Sequence, residues 1–277
     1  MFMTLVRLLP RAALSSAVGS LTRAPAPPAL HRAAMAAFAG VYRVALDEAE
    51  RPLSGYATFS EFFSRGLKPG ARPIDPGERV VVSPVDGTVS EAGTIEQGRC
   101  LQAKGLDFSV ADLLGDRAEA EPFDRGGRFA TLYLAPRDYH RVHAPLGGTI
   151  TGWRYLPGEL WPVNQASVRS VRGLFTLNER LVTWMDTPAG RAALVMVGAT
   201  CVGRIRAAYD DVVTHDGRPA GARTYAQPSP VARGAEVGRF EMGSTVILLF
   251  GAGRVRWDDG LVAGARVTVG RRIGEAA

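Results

Sequence analysis

The chain has 277 residues, 46% hydrophobic and 22% charged, a globular balance that excludes wholesale disorder and allows one large domain or two small ones. Glycine (32) and proline (18) are abundant, which fits strands joined by tight turns better than a helix bundle; collagen, coiled-coil and solenoid readings fail for want of their repeats. The formal charge is +6, yet residues 1–46 hold Arg7, Arg11, Arg23, Arg32 and Arg43 and no acid, so nearly all of it lies there. No basic patch interleaved with aromatics follows, which argues against a nucleic-acid partner.

In chain order, residues 1–24 and 33–46 read as two short amphipathic helices separated by the proline-rich run 24–28. The longest uncharged stretch near the start, residues 12–22, is 11 residues, well short of the ~20 that span a bilayer. Arginines without acids are what anionic lipid attracts, so a helical arm lying on a membrane face is expected. The alternatives are ordinary packing of both helices on the domain and, less favoured, a mitochondrial presequence. Short helices are expected at 59–65 and 109–114. Strands are expected at 80–85, 88–92, 129–134, 149–155, 181–186, 193–202, 245–250 and 265–269, punctuated by the turn dipeptides Asp86-Gly87, Pro157-Gly158, Asp216-Gly217 and Asp259-Gly260. The fold class expected is mostly β (α+β): a barrel-sandwich-like β domain, residues 58–277, behind an N-terminal arm, residues 1–57.

Chemistry-bearing residues gather in a few loops. Asp86 sits in a tight turn between two strands, where a structural role is the commoner one. His140 and His143 lie three apart in Arg137-Asp138-Tyr139-His140-Arg141-Val142-His143, bounded by Pro136 and Pro145, an extended context that suits imidazoles presented as acid or base. No cysteine or acid stands at a metal-ligand spacing beside them, so no metal site is expected. Cys100 and Cys201 are far apart and read as reduced, mostly buried thiols. Trp161 and Phe175 fit an apolar substrate site or core packing equally well. Ser244 follows Gly243 at the start of the apolar run 245–250. Asp, His and Ser in separate loops can form a nucleophile, base and orienter.

The motifs Asp86-Gly87-Thr88, Arg137 to His143, Pro157-Gly158-Glu159-Leu160, Asn178-Glu179-Arg180 and Gly243-Ser244-Thr245 occur in an order and spacing that resembles the bacterial phosphatidylserine decarboxylases. Thr58-Phe59-Ser60-Glu61-Phe62-Phe63-Ser64-Arg65 and Lys68-Pro69-Gly70-Ala71-Arg72-Pro73-Ile74 also resemble that family's leading segment, so the likeness runs over residues 58–273. Two departures stand out: Met242 replaces the usual leucine, a volume-conserving swap, and Thr176-Leu177 stands where the family more often has Ala-Arg.

The resemblance implies a proenzyme that cuts itself between Gly243 and Ser244. Ser244 would attack the Gly243 carbonyl, His143 would take the hydroxyl proton, and Asp86 would fix the imidazole. Residue 244 would end as a pyruvoyl group on a small chain, 244–277, bound as a heterodimer to the large chain, 1–243. The pyruvoyl group takes the electron-sink part that pyridoxal phosphate, anchored on a lysine, plays elsewhere. Only Lys68 and Lys104 are lysines, and neither is an attractive anchor. His140, by the same analogy, would assist decarboxylation and protonation. The implied reaction turns phosphatidylserine into phosphatidylethanolamine and carbon dioxide, at the cytoplasmic face of the cell membrane as a peripheral protein. Three rivals are weighed: a serine hydrolase, although Gly-x-Ser-x-Gly is absent around Ser244; a barrel-sandwich binding module without catalysis; and a pyruvoyl decarboxylase for a soluble amino acid, which would need no cationic arm.

Overall fold

The computed structural model describes residues 11–24, 27–200, 204–215, 217–241 and 245–277. Apolar runs between glycine-bearing turns form its strands in chain order: β1 Val80–Val82, β2 Gly87–Thr94, β3 Arg99–Ala103, β4 Leu106–Ser109, β5 Arg128–Tyr133, β6 Arg141–His143, β7 Gly148–Leu156 and β8 Arg180–Thr187. They continue with β9 Gly190–Val197, β10 Ile205–Ala207, β11 Gly221–Val231, β12 Glu236–Phe240, β13 Thr245–Phe250, β14 Val255–Trp257, β15 Arg266–Val267 and β16 Arg272–Ala276. Eight of them pair antiparallel in the order β11-β7-β8-β9-β13-β5-β2-β15, and β10-β12-β6 and β1-β16-β14 form three-stranded sheets beside them. The expected mostly β architecture with helices at the N-terminus is what the chain forms.

The central strand β13 is buried along its whole length. Val246, Leu248 and Phe250 enter one core with Leu132, Val142 and Leu194, while Ile247 and Leu249 enter a second with Phe108, Phe123 and Phe175. A strand covered on both faces reads as a continuous apolar run rather than an alternating one. Each such side chain contributes roughly 1.5–3 kcal/mol on burial. Trp161 and Phe175 both belong to the second core, so core packing accounts for them. All eight expected strands are present, with the one expected at 193–202 ending at Val197. The long β11 carried no apolar signal because it is an edge: most of its residues are exposed, and Pro228 and Pro230 lie within it.

Two helices lead the described chain, α1 Arg11–Arg23 and α2 Pro28–Tyr42. The second begins five residues earlier than its apolar pattern suggests, because Pro28 takes the first helical position, where its missing N–H costs nothing. It ends where Arg43 turns left-handed (φ 58°) and donates its N–H to Ala39 O. Met35 and Ala39 pack with Tyr56 and Phe62, and the Phe38 ring meets Phe59 at 5.1 Å and Phe63 at 5.9 Å. The arm is thus docked on the domain through one face. Its other face leaves Leu30 62% and Val41 76% exposed, with Leu21 of α1 at 75%. Among the described residues no helix is long and apolar enough to cross a membrane.

The short helix α3 Phe59–Phe63 is capped by Thr58, whose Oγ1 accepts from Glu61 N (3.2 Å), and the Glu61 carboxylate accepts from Ala57 N (3.0 Å). A fourth, α4 Val110–Leu114, is capped by Ser109, whose Oγ accepts from Asp112 N at 3.1 Å.

Candidate active site

One end of the large sheet gathers four of the motifs and Thr245 of the fifth. Cross-strand pairing sets Thr88 opposite Tyr133, Tyr133 opposite Thr245, Thr245 opposite Val197 and Val197 opposite Arg180. Asp86 lies just before β2 and Pro157 just after β7, and the segment that leaves β5 beyond Tyr133 carries His140 in its loop and His143 at the end of β6. Residues 242–244, including the Gly243-Ser244 pair, lie outside the described residues. The line passes through Thr245, the next residue, whose buried hydroxyl has no hydrogen-bond partner among the described residues.

Two motifs serve the scaffold. Gly158 lets residues 157–160 lie directly on the backbone of 177–179, where a Cβ would strike Leu177 O. Glu159 N then donates to Leu177 O and Glu179 N to Glu159 O, both at 2.8 Å. Asn178 is fully buried: its Oδ1 accepts from Trp161 N (2.8 Å), and its Nδ2 donates to Trp161 O (2.9 Å) and Gly198 O (2.8 Å). Glu179 accepts from Tyr155 Oη (3.0 Å) and Thr214 Oγ1 (2.9 Å). Arg180 donates to the carbonyls of Leu113, Thr176, Asn178 and Asp112. Together these bonds fix the turn that follows β9, next to the start of β13.

The histidines sit differently. His143 Nδ1 lies 2.7 Å from Gly234 O; a carbonyl only accepts, so this nitrogen carries the proton and Nε2 holds a lone pair. The Tyr139 hydroxyl lies 3.2 Å from that Nε2. Burial holds the phenol protonated, pushing it up to about 12, so it donates to the imidazole. Burial also lowers the His143 pKa, opposed by its bond to Gly234 and by the charges of Glu236 and Asp86. His140 is fully buried, with Nδ1 2.8 Å from Asp138 O and no partner at Nε2 among the described residues. Burial first, then the Arg65 charge, push its pKa down to about 3. Both rings therefore rest neutral with Nε2 unprotonated, that of His143 facing the Tyr139 hydroxyl. His140 O also accepts from Phe240 N (3.0 Å), which ties the loop to β12, the strand leading toward residue 244.

Asp86 does not meet His143. Both carboxylate oxygens accept from Arg72, at 3.0, 2.9 and 2.6 Å, and Oδ1 also accepts from Val269 N at 2.8 Å. Arg72 in turn holds Glu48 at 2.7 and 3.0 Å, and these two acids push the guanidinium up despite its partial burial. A forked, charge-assisted contact outcompetes a single imidazole N–H. The expectation that Asp86 fixes the His143 tautomer is thus corrected: Gly234 O does so, and Asp86 reaches the ring through its charge. Gly87 allows the close packing here, since a Cβ would come within 2.5 Å of Tyr133 O.

A cavity of about 460 Å³ opens beside the motif line, lined by Thr88, Glu91, Tyr133, Val163 and Arg169 among others. Cys100 is buried and its thiol pushed up by that burial; Cys201 lies outside the described residues. Arg65, Arg72 and Tyr139 were not singled out for a role from sequence. The signal for them was their place inside the quoted motif segments.

The phosphatidylserine decarboxylase family matches residues 59–275. The chain is 59% identical to the phosphatidylserine decarboxylase proenzyme of Myxococcus xanthus over 273 residues, 99% of this chain and 97% of that one. It is 58% identical to that of an Anaeromyxobacter species (100% and 99%) and 47% identical to that of Azotobacter vinelandii (98% and 96%). The chain belongs to the phosphatidylserine decarboxylase family. As a member it is a decarboxylase.

Proposed function

We propose that the chain is a proenzyme that cuts its own Gly243–Ser244 bond and then, as chains 1–243 and 244–277, decarboxylates phosphatidylserine to phosphatidylethanolamine. The observation that carries this reading is the convergence of four motifs, distant in sequence, with Thr245 of the fifth at one end of one sheet. Ser244 Oγ attacks the Gly243 carbonyl carbon and turns the amide into an ester. His143, resting neutral with Nε2 unprotonated, takes the hydroxyl proton. Asp86 supports the resulting imidazolium through its charge, and Tyr139 gives Nε2 its resting partner. Elimination of the ester frees the upstream chain, and hydrolysis of the remaining dehydroalanine releases ammonia and leaves a pyruvoyl group at 244.

A carbonyl made from the chain itself fits these residues. Lys68 and Lys104 are both exposed and offer no internal anchor for pyridoxal phosphate, while Thr245 Oγ1 and His140 Nε2 are buried polar atoms without partners among the described residues. The pyruvoyl group supplies the sink for the electrons left by carbon dioxide. His140 rests neutral, so it must take a proton at Nε2 before it can deliver one. The two chains stay together because β13, in the small chain, is hydrogen-bonded on one side to β5 and on the other to β9. The exposed apolar face of the arm, flanked by Arg23, Arg32 and Arg43, would meet the anionic cytoplasmic face of the cell membrane.

Intact mass spectrometry tests the reading. Wild type should give two masses, the smaller starting with a pyruvoyl group, and Ser244→Ala one uncut chain. His143→Ala should remain largely uncut and Asp86→Asn should cut slowly, while His140→Ala should cut yet decarboxylate poorly. A small fragment from Ser244→Ala would overturn self-cleavage at this bond.

A further inference from the structure

Arg65 is 3% exposed and has no carboxylate within ion-pair distance among the described residues. Burial pulls its pKa down. A buried cation without an acid beside it is costly, and a neutral donor could serve a merely structural clamp. Its side-chain hydrogen bonds lead to the His140 loop or its roof, and the guanidinium also lies over the Phe62 ring, 5.6 Å from the centroid. Nη2 donates to Arg137 O (3.3 Å) and Asp138 O (3.4 Å), and Nη1 to Phe63 O (3.5 Å). Asp138 O is the same oxygen that accepts from His140 Nδ1, and a carbonyl has lone pairs for both. The Phe63 ring lies on the imidazole with centroids 4.0 Å apart, and Arg141 Nε donates back to Ser64 O at 3.0 Å.

We propose that Arg65 is the positioning residue of the decarboxylation site: by bridging the carbonyls of Arg137 and Asp138 it holds the loop that fixes His140 as the Nδ1–H tautomer with Nε2 bare. The proposal rests on the reading of His140 given above. The charged groups around the ring are few. Arg65 comes from the segment after α3. On the ring's own loop, the Asp138 carboxylate turns away to Ala135 N (2.8 Å) and Arg266 (2.7 Å), and Arg141 pairs with Glu236 of β12 at 2.9 Å. Arg65 is therefore the cation that opposes protonation of His140. Removing it raises the His140 pKa and moves the acid limb of decarboxylation toward neutral pH, at about tenfold in rate per unit below the limb.

The test uses the full chain, with self-cleavage read on a gel as a check of folding. Long-range nitrogen–proton NMR of the imidazoles, assigned with His140→Ala, reports the tautomer directly. Arg65→Met should still cut. It should give a mixed or reversed His140 tautomer, and lose at least tenfold in kcat at pH 6 but less at pH 8, with KM unchanged. Arg65→Lys, which keeps the cation, should restore the wild-type pH profile at reduced kcat. An unchanged tautomer together with an unchanged pH profile in Arg65→Met would overturn the proposal. If Arg65→Met fails to cut, Arg65→Lys decides alone: a shifted acid limb there would overturn it. Should His140→Ala decarboxylate like wild type, the catalytic reading of His140 falls, while the tautomer measurement still judges Arg65.

Discussion

At the scale of single residues, the buried pair Arg72–Asp86 places a carboxylate whose charge reaches His143. The side chains are 15% and 8% exposed, and breaking such a pair leaves an uncompensated charge worth about 3–5 kcal/mol when fully buried. Arg72→Met should lower stability by about 3 kcal/mol in urea and slow self-cleavage, because Asp86 would keep only Val269 N as a close partner. Arg72→Lys keeps a point charge without the fork and should fall between. A gel time course would decide, and wild-type cutting in Arg72→Met would separate Asp86 from its arginine. The site was legible in sequence where rare residues cluster: two of only four histidines fall in one loop, and Asp86 sits in a marked turn. Its wiring was not. Arginine is so common in this chain that neither Arg65 nor Arg72 stands out, and the oxygen that orients His143 belongs to Gly234, 91 residues away, where only the fold brings it.

The arm shows at the scale of an element how one helix answers two demands. Met35 and Ala39 of α2 pack inward, while Leu30, Ala34, Ala37 and Val41 follow one another on the outer side at helical spacing, all exposed. Replacing Leu30 and Val41 by Glu should weaken sedimentation with phosphatidylserine vesicles at both low and high salt, since apolar insertion is insensitive to screening. The arginines should supply the part that high salt removes, at about 1 kcal/mol each near the surface. Thermal stability and self-cleavage should hold, because neither side chain enters a core. Undiminished binding would move the contact to the β domain. Elements were legible in sequence where burial imposed a pattern. The run 245–250 is buried on both faces and was read to the residue. The edge strand β11 and the short β10, β12, β14 and β16 were not, because their place is set by partners rather than by apolar periodicity.

At the scale of the whole molecule, the proposed cut would leave two chains, whose unfolding would no longer be a simple two-state event at fixed concentration. Ser244→Ala is the suitable background for measuring pH dependence. His140 is neutral in the fold with its pKa near 3, against about 6.5 in the unfolded chain. Between those values the unfolded state binds a proton that the native state refuses, so its contribution is complete above pH 6.5 and is lost as pH falls toward 3. From pH 7.5 to 5.5 the loss from this one ring is about 1.4 kcal/mol. His143, lowered in the same direction by burial, adds to it. Asp210 joins only in stronger acid: burial opposes its ionisation, but hydrogen bonds from Tyr225 and Trp153 hold it below the usual carboxylate range. Urea midpoints of Ser244→Ala should therefore fall across that window. Adding His140→Gln, which cannot titrate, should flatten the fall by about 1.4 kcal/mol. Parallel curves for the two proteins would mean that His140 binds its proton equally in both states, and that its burial does not restrain protonation.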